Sequence, residues 1–283
     1  MEMELTFEKE QEVLSLAAGI AYSCVDDWYA GTYRNLKMDL LFPKHREDHP
    51  AQPTLLWICG GGYSVVSRDV WMPELIYFAR RGYTVASVEY RTSNMAAFPA
   101  PLIDVKAAVR YLKAHAKQFC IDPDYIFAAG ESAGGTFASL LGTTGNEKGF
   151  ETGDYLEFDS KVAGVIDFYG PIDFKNECLL QSEIVPSWCL DAFLGEKYTD
   201  DDISFASPVR YIDENTAPFL IFHGTDDLTV SIKQSNVLYE ILQQKNIPVD
   251  YYRLRGAQHG DDLFYQDQIK NIMIDFMKKI QLK

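Results

Sequence analysis

Short apolar runs alternate, through most of this chain, with stretches whose apolar positions recur every three or four residues. Residues 54–58, 84–88, 125–128, 162–166, 219–222 and 251–254 are dominated by aliphatic and aromatic side chains and predict strands. Val105, Val109, Leu112 and Ala116 follow at helical spacing, and Ile269, Met273, Phe276 and Ile280 repeat it near the C-terminus. Strands this uniformly apolar have both faces covered, so the alternation predicts a doubly wound, mostly parallel α/β sheet with helices on both sides. Residues 32–42, which end at Pro43, predict one or two antiparallel strands at the sheet edge.

The rhythm breaks at residues 171–215. No convincing strand lies between Pro171 and Pro208, while Trp188, Phe193 and Leu194 offer apolar surface. The segment predicts a cap-like insertion over the C-terminal edge of the sheet; an ordinary long crossover with a helix or two fits the same pattern. With no repeat, linker or low-complexity tract, residues 1–283 are expected to form a single domain.

Charge narrows the range of partners. A formal net charge of −15 without a local Lys/Arg run argues against nucleic acid and against an anionic membrane surface. No stretch is long and apolar enough to span a bilayer. The first ten residues are acidic and lack the apolar core of a signal peptide, and the five cysteines are odd in number without CxxC spacing. A cytoplasmic, reducing environment is the expectation.

The chemistry starts at Gly130-Glu131-Ser132-Ala133-Gly134, a G-x-S-x-G sequence between a predicted strand and a predicted helix. Five common residue types are weak evidence alone. In this strand-to-helix context they describe a strained turn that lifts a serine hydroxyl clear of the sheet and aims the following backbone N–H groups at a substrate.

A serine hydroxyl needs a base, and the base needs an orienting acid. His45 and His49 fall in a charged loop, and His115 falls in a predicted helix. His223 ends a strand, where packing beneath the next loop is the simpler role. His259, on the loop after the strand at 251–254, is best placed to reach a serine. Asp226 and Asp227 leave another strand at the edge where ligand crevices form, and either can supply the acid. Asp261 and Asp262 stand too close to His259 in sequence to orient it and read as solvated or capping residues.

Cys59-Gly60-Gly61-Gly62-Tyr63 follows the strand at 54–58. Its glycines let backbone N–H groups of Gly61 and Gly62 approach a developing oxyanion, with the Ala133 N–H as a further donor. The run lacks the spacing of a phosphate-binding loop. A metal held by His223, Asp226, Asp227 and His259 lacks HxH or HExxH spacing, and neither metal nor other cofactor is expected. Asp104, Asp167 and Asp173 read as caps and loop ties.

Several ordered motifs now coincide: the glycine loop, Gly82-Tyr83 leading to Glu89-Tyr90-Arg91, Phe98-Pro99 with Asp104, the serine pentapeptide, Tyr169-Gly170-Pro171, Ala206-Ser207-Pro208, His223-Gly224 with Asp227 and Val230, and His259-Gly260. The chain resembles the α/β-hydrolase superfamily. It is similar to small carboxylesterases of the acetyl-xylan (feruloyl) esterase type, related to hormone-sensitive-lipase-like esterases. In that family the acid lies four residues after the histidine of H-G-x-x-D-x-x-V, so the resemblance selects Asp227 over Asp226. Cys59 departs from it, because a histidine usually opens the glycine loop.

The resemblance implies a serine hydrolase of short-acyl carboxylic esters, with acetyl esters of carbohydrates as the expected small-molecule substrates. Its catalytic set is Ser132, His259 and Asp227, its oxyanion donors Gly61, Gly62 and Ala133. Tyr63 and Glu131 are expected to line the substrate pocket. The same scaffold also serves arylformamidases and peptidases, and a non-catalytic ligand binder would keep the fold while losing the triad.

Overall fold

A computed structural model describes residues 1–8, 12–27, 29–44, 50–175, 188–195 and 197–282. In chain order the elements are β1 (Leu14–Asp26), β2 (Tyr33–Pro43), β3 (Gln52–Ile58), α1 (Met72–Ala79), β4 (Thr84–Val88), α2 (Ala100–Ala114), α3 (Ala116–Phe119) and β5 (Ile121–Glu131). They continue with α4 (Ala133–Thr143), β6 (Gly164–Phe168), α5 (Trp188–Leu194), α6 (Asp200–Ala206), β7 (Phe219–Gly224), α7 (Lys233–Gln244), β8 (Val249–Leu254) and α8 (Asp267–Gln281).

The eight strands form one sheet in the order β1-β2-β4-β3-β5-β6-β7-β8. β1 and β2 are antiparallel, β2 meets β4 antiparallel, and every other pairing is parallel. Alternation along each parallel strand divides the core. Leu56, Ile58, Ala128 and Val165 face α2, α4 and α7, while Leu55, Trp57, Phe127, Ile166 and Phe168 face α1 and α8. Both faces are therefore buried, as the apolar strands require.

The edge carries a strand that the hydrophobic pattern does not announce. β1 pairs with β2 along 14–26, but its register shifts twice, with Gly19 at φ 70° in the first irregularity. The Gly19 N–H donates to Asp39 at 2.6 Å. Bulges break the two-residue alternation by which a half-exposed strand is recognised.

Within the expected insertion, residues 176–187 and 196 lie outside the described residues. The described remainder supplies α5 and α6, the latter opened by a reciprocal capping box between Thr199 and Asp202. Phe193 is buried, and its ring stacks on Tyr63 with centroids 4.1 Å apart. Among the described residues, no helix is long and apolar enough to cross a membrane.

Parallel pairing aligns the strand ends that matter. Ile58 stands opposite Gly130, and Glu131 opposite Phe168. The loops after β3, β5, β6, β7 and β8 consequently open along one edge.

Candidate active site

Ser132 caps α4 with φ 54° and ψ −122°, a backbone conformation that a residue bearing a Cβ rarely adopts. Its N–H donates to Phe168 O at 2.9 Å. The turn closes only because Gly130 and Gly134 lack side chains: a Cβ on either would overlap backbone, that of Gly134 running into the Ile58 carbonyl. With the turn drawn down this tightly, the serine side chain stands above it.

Loops after β7 and β8 interlock. Asp226 N–H donates to Ala257 O at 3.1 Å, Thr225 N–H to Leu254 O at 2.9 Å, and Gly256 N–H to Thr225 Oγ1 at 2.8 Å. Gly224 leaves no room for a Cβ beneath Ala257. This knit brings Asp227 and His259 together across 32 residues.

His259 Nδ1 lies 2.8 Å from Asp227 Oδ2, and His259 Nε2 lies 3.0 Å from Ser132 Oγ. Since an ionised carboxylate only accepts, Nδ1–H donates to Asp227 and Nε2 accepts the serine hydroxyl. The Asp227 carboxylate is wholly buried, whereas the imidazole keeps some exposure. Tyr169 backs the imidazole, ring centroids 4.6 Å apart.

Burial alone would raise the Asp227 carboxyl. Hydrogen bonds from His223 and His259, the His259 charge and the Val230 N–H outweigh it, holding the group well below the usual carboxylate range. His223 is fully buried. Its Nδ1 meets Ser235 Oγ at 2.7 Å, and its Nε2–H donates to Val230 O at 2.9 Å while lying 3.4 Å from Asp227 Oδ2. It packs as a loop support and shores up Asp227. Asp226 is exposed and accepts from Thr225 Oγ1. Asp261 caps the 3₁₀ turn Asp262–Tyr265 through Leu263 N–H, one turn ahead of the final helix rather than on it.

In the glycine loop, Gly61, Gly62 and Tyr63 follow one another at φ 132°, 57° and 63°. Among the described residues the N–H groups of Gly61, Gly62 and Ala133 meet no hydrogen-bond acceptor. The Gly60 N–H, by contrast, donates to Glu131 Oε1 at 2.5 Å. Cys59 is buried, and burial first, then the nearby Glu131 charge, push its thiol up to about 12. Tyr63 turns inward: it is buried between Phe193 and Phe137, and its hydroxyl pairs with Thr136 Oγ1 at 2.8 Å.

Asp104 ties Arg91 through paired side-chain hydrogen bonds, as a loop tie should. Asp167 is fully buried beneath the serine turn, with Oδ1 accepting from Gly170 N–H at 3.0 Å and Oδ2 without a hydrogen-bond partner among the described residues. Among the described residues, no group of three or more His, Cys, Asp or Glu is arranged to hold a metal ion. Sequence reasoning did not single out Tyr169 as backing for His259, nor the Tyr90 hydroxyl that donates to Cys59 O at 2.8 Å. An aromatic residue after a strand carries no signal of its partner.

Residues 38–242 match the BD-FAE family model, a span that holds Ser132 and Asp227 and stops short of His259. The chain belongs to the BD-FAE family. Its architecture is the α/β-hydrolase fold. The chain is 32% identical over 218 residues to a probable carboxylic ester hydrolase, LipM, of Mycobacterium tuberculosis, covering 75% of this chain and 50% of that protein. It spans about half the length of the curated relatives it matches. A solved carbohydrate esterase from gut microbiota, in truncated form, superposes with TM-score 0.79 at 24% identity over 98% of this chain and 99% of that one. The bifunctional GH43-CE of Bacteroides eggerthii superposes with TM-score 0.79 at 27% identity, over 94% of this chain and 35% of that one.

Proposed function

We propose that this BD-FAE member hydrolyses short-acyl carboxylic esters through a covalent acyl-enzyme, with acetyl esters of carbohydrates as its substrate class. The observation that carries the reading is the hydrogen-bonded line from Ser132 Oγ through His259 to Asp227. Ser132 Oγ attacks the ester carbonyl while His259 Nε2 takes its proton. The same imidazole returns the proton to the departing alcohol, and the cycle repeats with water to release the acid. Asp227 fixes the tautomer and balances the imidazolium. The N–H groups of Gly61, Gly62 and Ala133 receive the negative charge that develops on the carbonyl oxygen.

The ester reading is supported by the relative named carboxylic ester hydrolase, and the carbohydrate reading by the solved structures named carbohydrate esterase and GH43-CE. The test is hydrolysis of p-nitrophenyl acetate, butyrate and octanoate by wild type and Ser132→Ala. Turnover should fall with acyl length and vanish in the variant. Folded wild type without activity on any of the three would sink the ester reading. Acetate release from acetylated xylo-oligosaccharides no faster than from aryl acetates would remove the carbohydrate assignment and leave the esterase.

A further inference from the structure

The glycine loop is built from the backbone least able to hold itself in place. Three consecutive residues at positive φ, two of them glycine, leave much conformational freedom to restrain. Restraint comes from outside: Tyr90 O–H holds the Cys59 carbonyl, Ser64 N–H and Val65 N–H hold the Gly61 carbonyl, and Ser93 N–H holds the Tyr63 carbonyl. Two further ties cross to the serine turn. At the loop's far end Tyr63 meets Thr136 on α4. At its near end Glu131 Oε1 takes the Gly60 N–H at 2.5 Å and the Trp71 indole N–H at 3.3 Å.

Glu131 immediately precedes Ser132, so this one side chain spans from the nucleophile's own backbone to the start of the loop. It also occupies the space left by the missing Gly60 side chain, where a Cβ would strike both the Glu131 carboxylate and its backbone oxygen. With the Gly60 N–H bonded to Glu131, the glycines of the loop offer a substrate the N–H groups of Gly61 and Gly62. Trp71 is itself held by stacking on Tyr265, centroids 4.0 Å apart.

We propose that Glu131 is a positioning residue: by accepting the Gly60 N–H it sets the distance and direction of the Gly61 and Gly62 N–H groups relative to Ser132. This rests on the serine-esterase reading above. It reassigns Glu131 from lining the substrate pocket to acting through the loop. Reach matters to this role and charge does not, because a neutral amide oxygen in the same place accepts the same N–H.

Two conservative variants separate reach from charge. Glu131→Gln keeps the reach and loses the charge; Glu131→Asp keeps the charge and withdraws the acceptor by one methylene. Both are assayed on p-nitrophenyl acetate beside wild type and Ser132→Ala, with folding checked by thermal melting and Gly60 N–H protection read by hydrogen exchange. Glu131→Asp should lose about 100-fold in kcat, the order expected of an ångström-scale misplacement. Its KM should stay within about twofold, since donors that strengthen only in the transition state leave ground-state binding alone. Glu131→Gln should keep kcat within about threefold of wild type. Gly60 should exchange faster in Glu131→Asp and remain protected in Glu131→Gln. Wild-type turnover by folded Glu131→Asp, an equal loss in both variants, a loss confined to KM, or unchanged Gly60 exchange in Glu131→Asp would each overturn the positioning role. An inactive wild type, or turnover persisting in Ser132→Ala, would instead sink the serine reading and take this role with it.

Discussion

Oδ2 of Asp227 lies 2.8 Å from Nδ1 of His259, while Oδ1 is occupied by the backbone N–H groups of Thr229 and Val230, each at 2.8 Å. The carboxylate cannot rotate without breaking three hydrogen bonds. Asp227→Asn keeps an acceptor for the backbone pair but turns an NH₂ toward His259, driving its proton onto Nε2, where it blocks proton transfer from Ser132. The expected loss in kcat is about 10⁴-fold with the fold intact. Asp226→Asn, altering an exposed side chain, should leave kcat within about twofold. Comparable losses in both variants would refute the assignment of the acid.

Asp167 makes stability depend on pH. Burial raises its carboxyl to about 7, only partly opposed by the Gly170 N–H, against an ordinary value of 3.8. Between those values the native state keeps a proton that the unfolded chain has released. The contribution of Asp167 to stability is therefore full below pH 4 and is lost as pH rises through 7, by on the order of 4 kcal/mol. Asp167→Asn has no proton to lose, so it should gain on wild type between pH 5 and pH 8 in urea unfolding. A constant difference between the two proteins across that range would show that Asp167 does not titrate there.

The thiol of Cys59 should be inert. Buried and pushed up to about 12, it carries almost no thiolate at neutral pH. Iodoacetamide at pH 8 should alkylate the exposed Cys24 well before Cys59 and leave ester hydrolysis unchanged. Peptide mapping decides the matter: modification of Cys59 in step with loss of activity would overturn this expectation.

Away from the site, Glu151 neutralises two cations that have no exposed side-chain surface. It pairs with Lys106 Nζ at 2.8 Å and Arg110 Nη1 at 2.6 Å, and it accepts from Ser160. Removing one partner from such a cluster leaves uncompensated buried charge, so Glu151→Ala should cost about 3 kcal/mol in urea unfolding. Turnover by the protein that remains folded should not change. A cost below about 1 kcal/mol would mean that Lys106 simply sheds its proton or water enters.

Local chemistry by itself determined a good deal of this protein. Apolar runs specify the six parallel-type strands, because burial on both faces writes a continuous signal into each strand, and helical spacing specifies α2 and α8. The serine turn was legible because Gly130 and Gly134 leave no room for a Cβ, and the expected order of Ser132, an aspartate at 226 or 227 and His259 came from the loops that leave strand ends. The family resemblance separated Asp227 from Asp226; residue chemistry left the two equivalent.

Tertiary structure decided the directions of side chains. Glu131 reaches Gly60 across 71 positions and Tyr63 turns to Thr136 across 73. Neither pairing is encoded in its neighbours along the chain. β1 escaped the pattern because its bulges disrupt alternation, and the unpartnered oxygen of Asp167 became evident only once α4 and the Tyr169–Gly170 turn closed over it. Periodicity records how each segment meets the core, a short-range property. Which polar group meets which depends on strand order and loop packing, and these exist only in the folded chain.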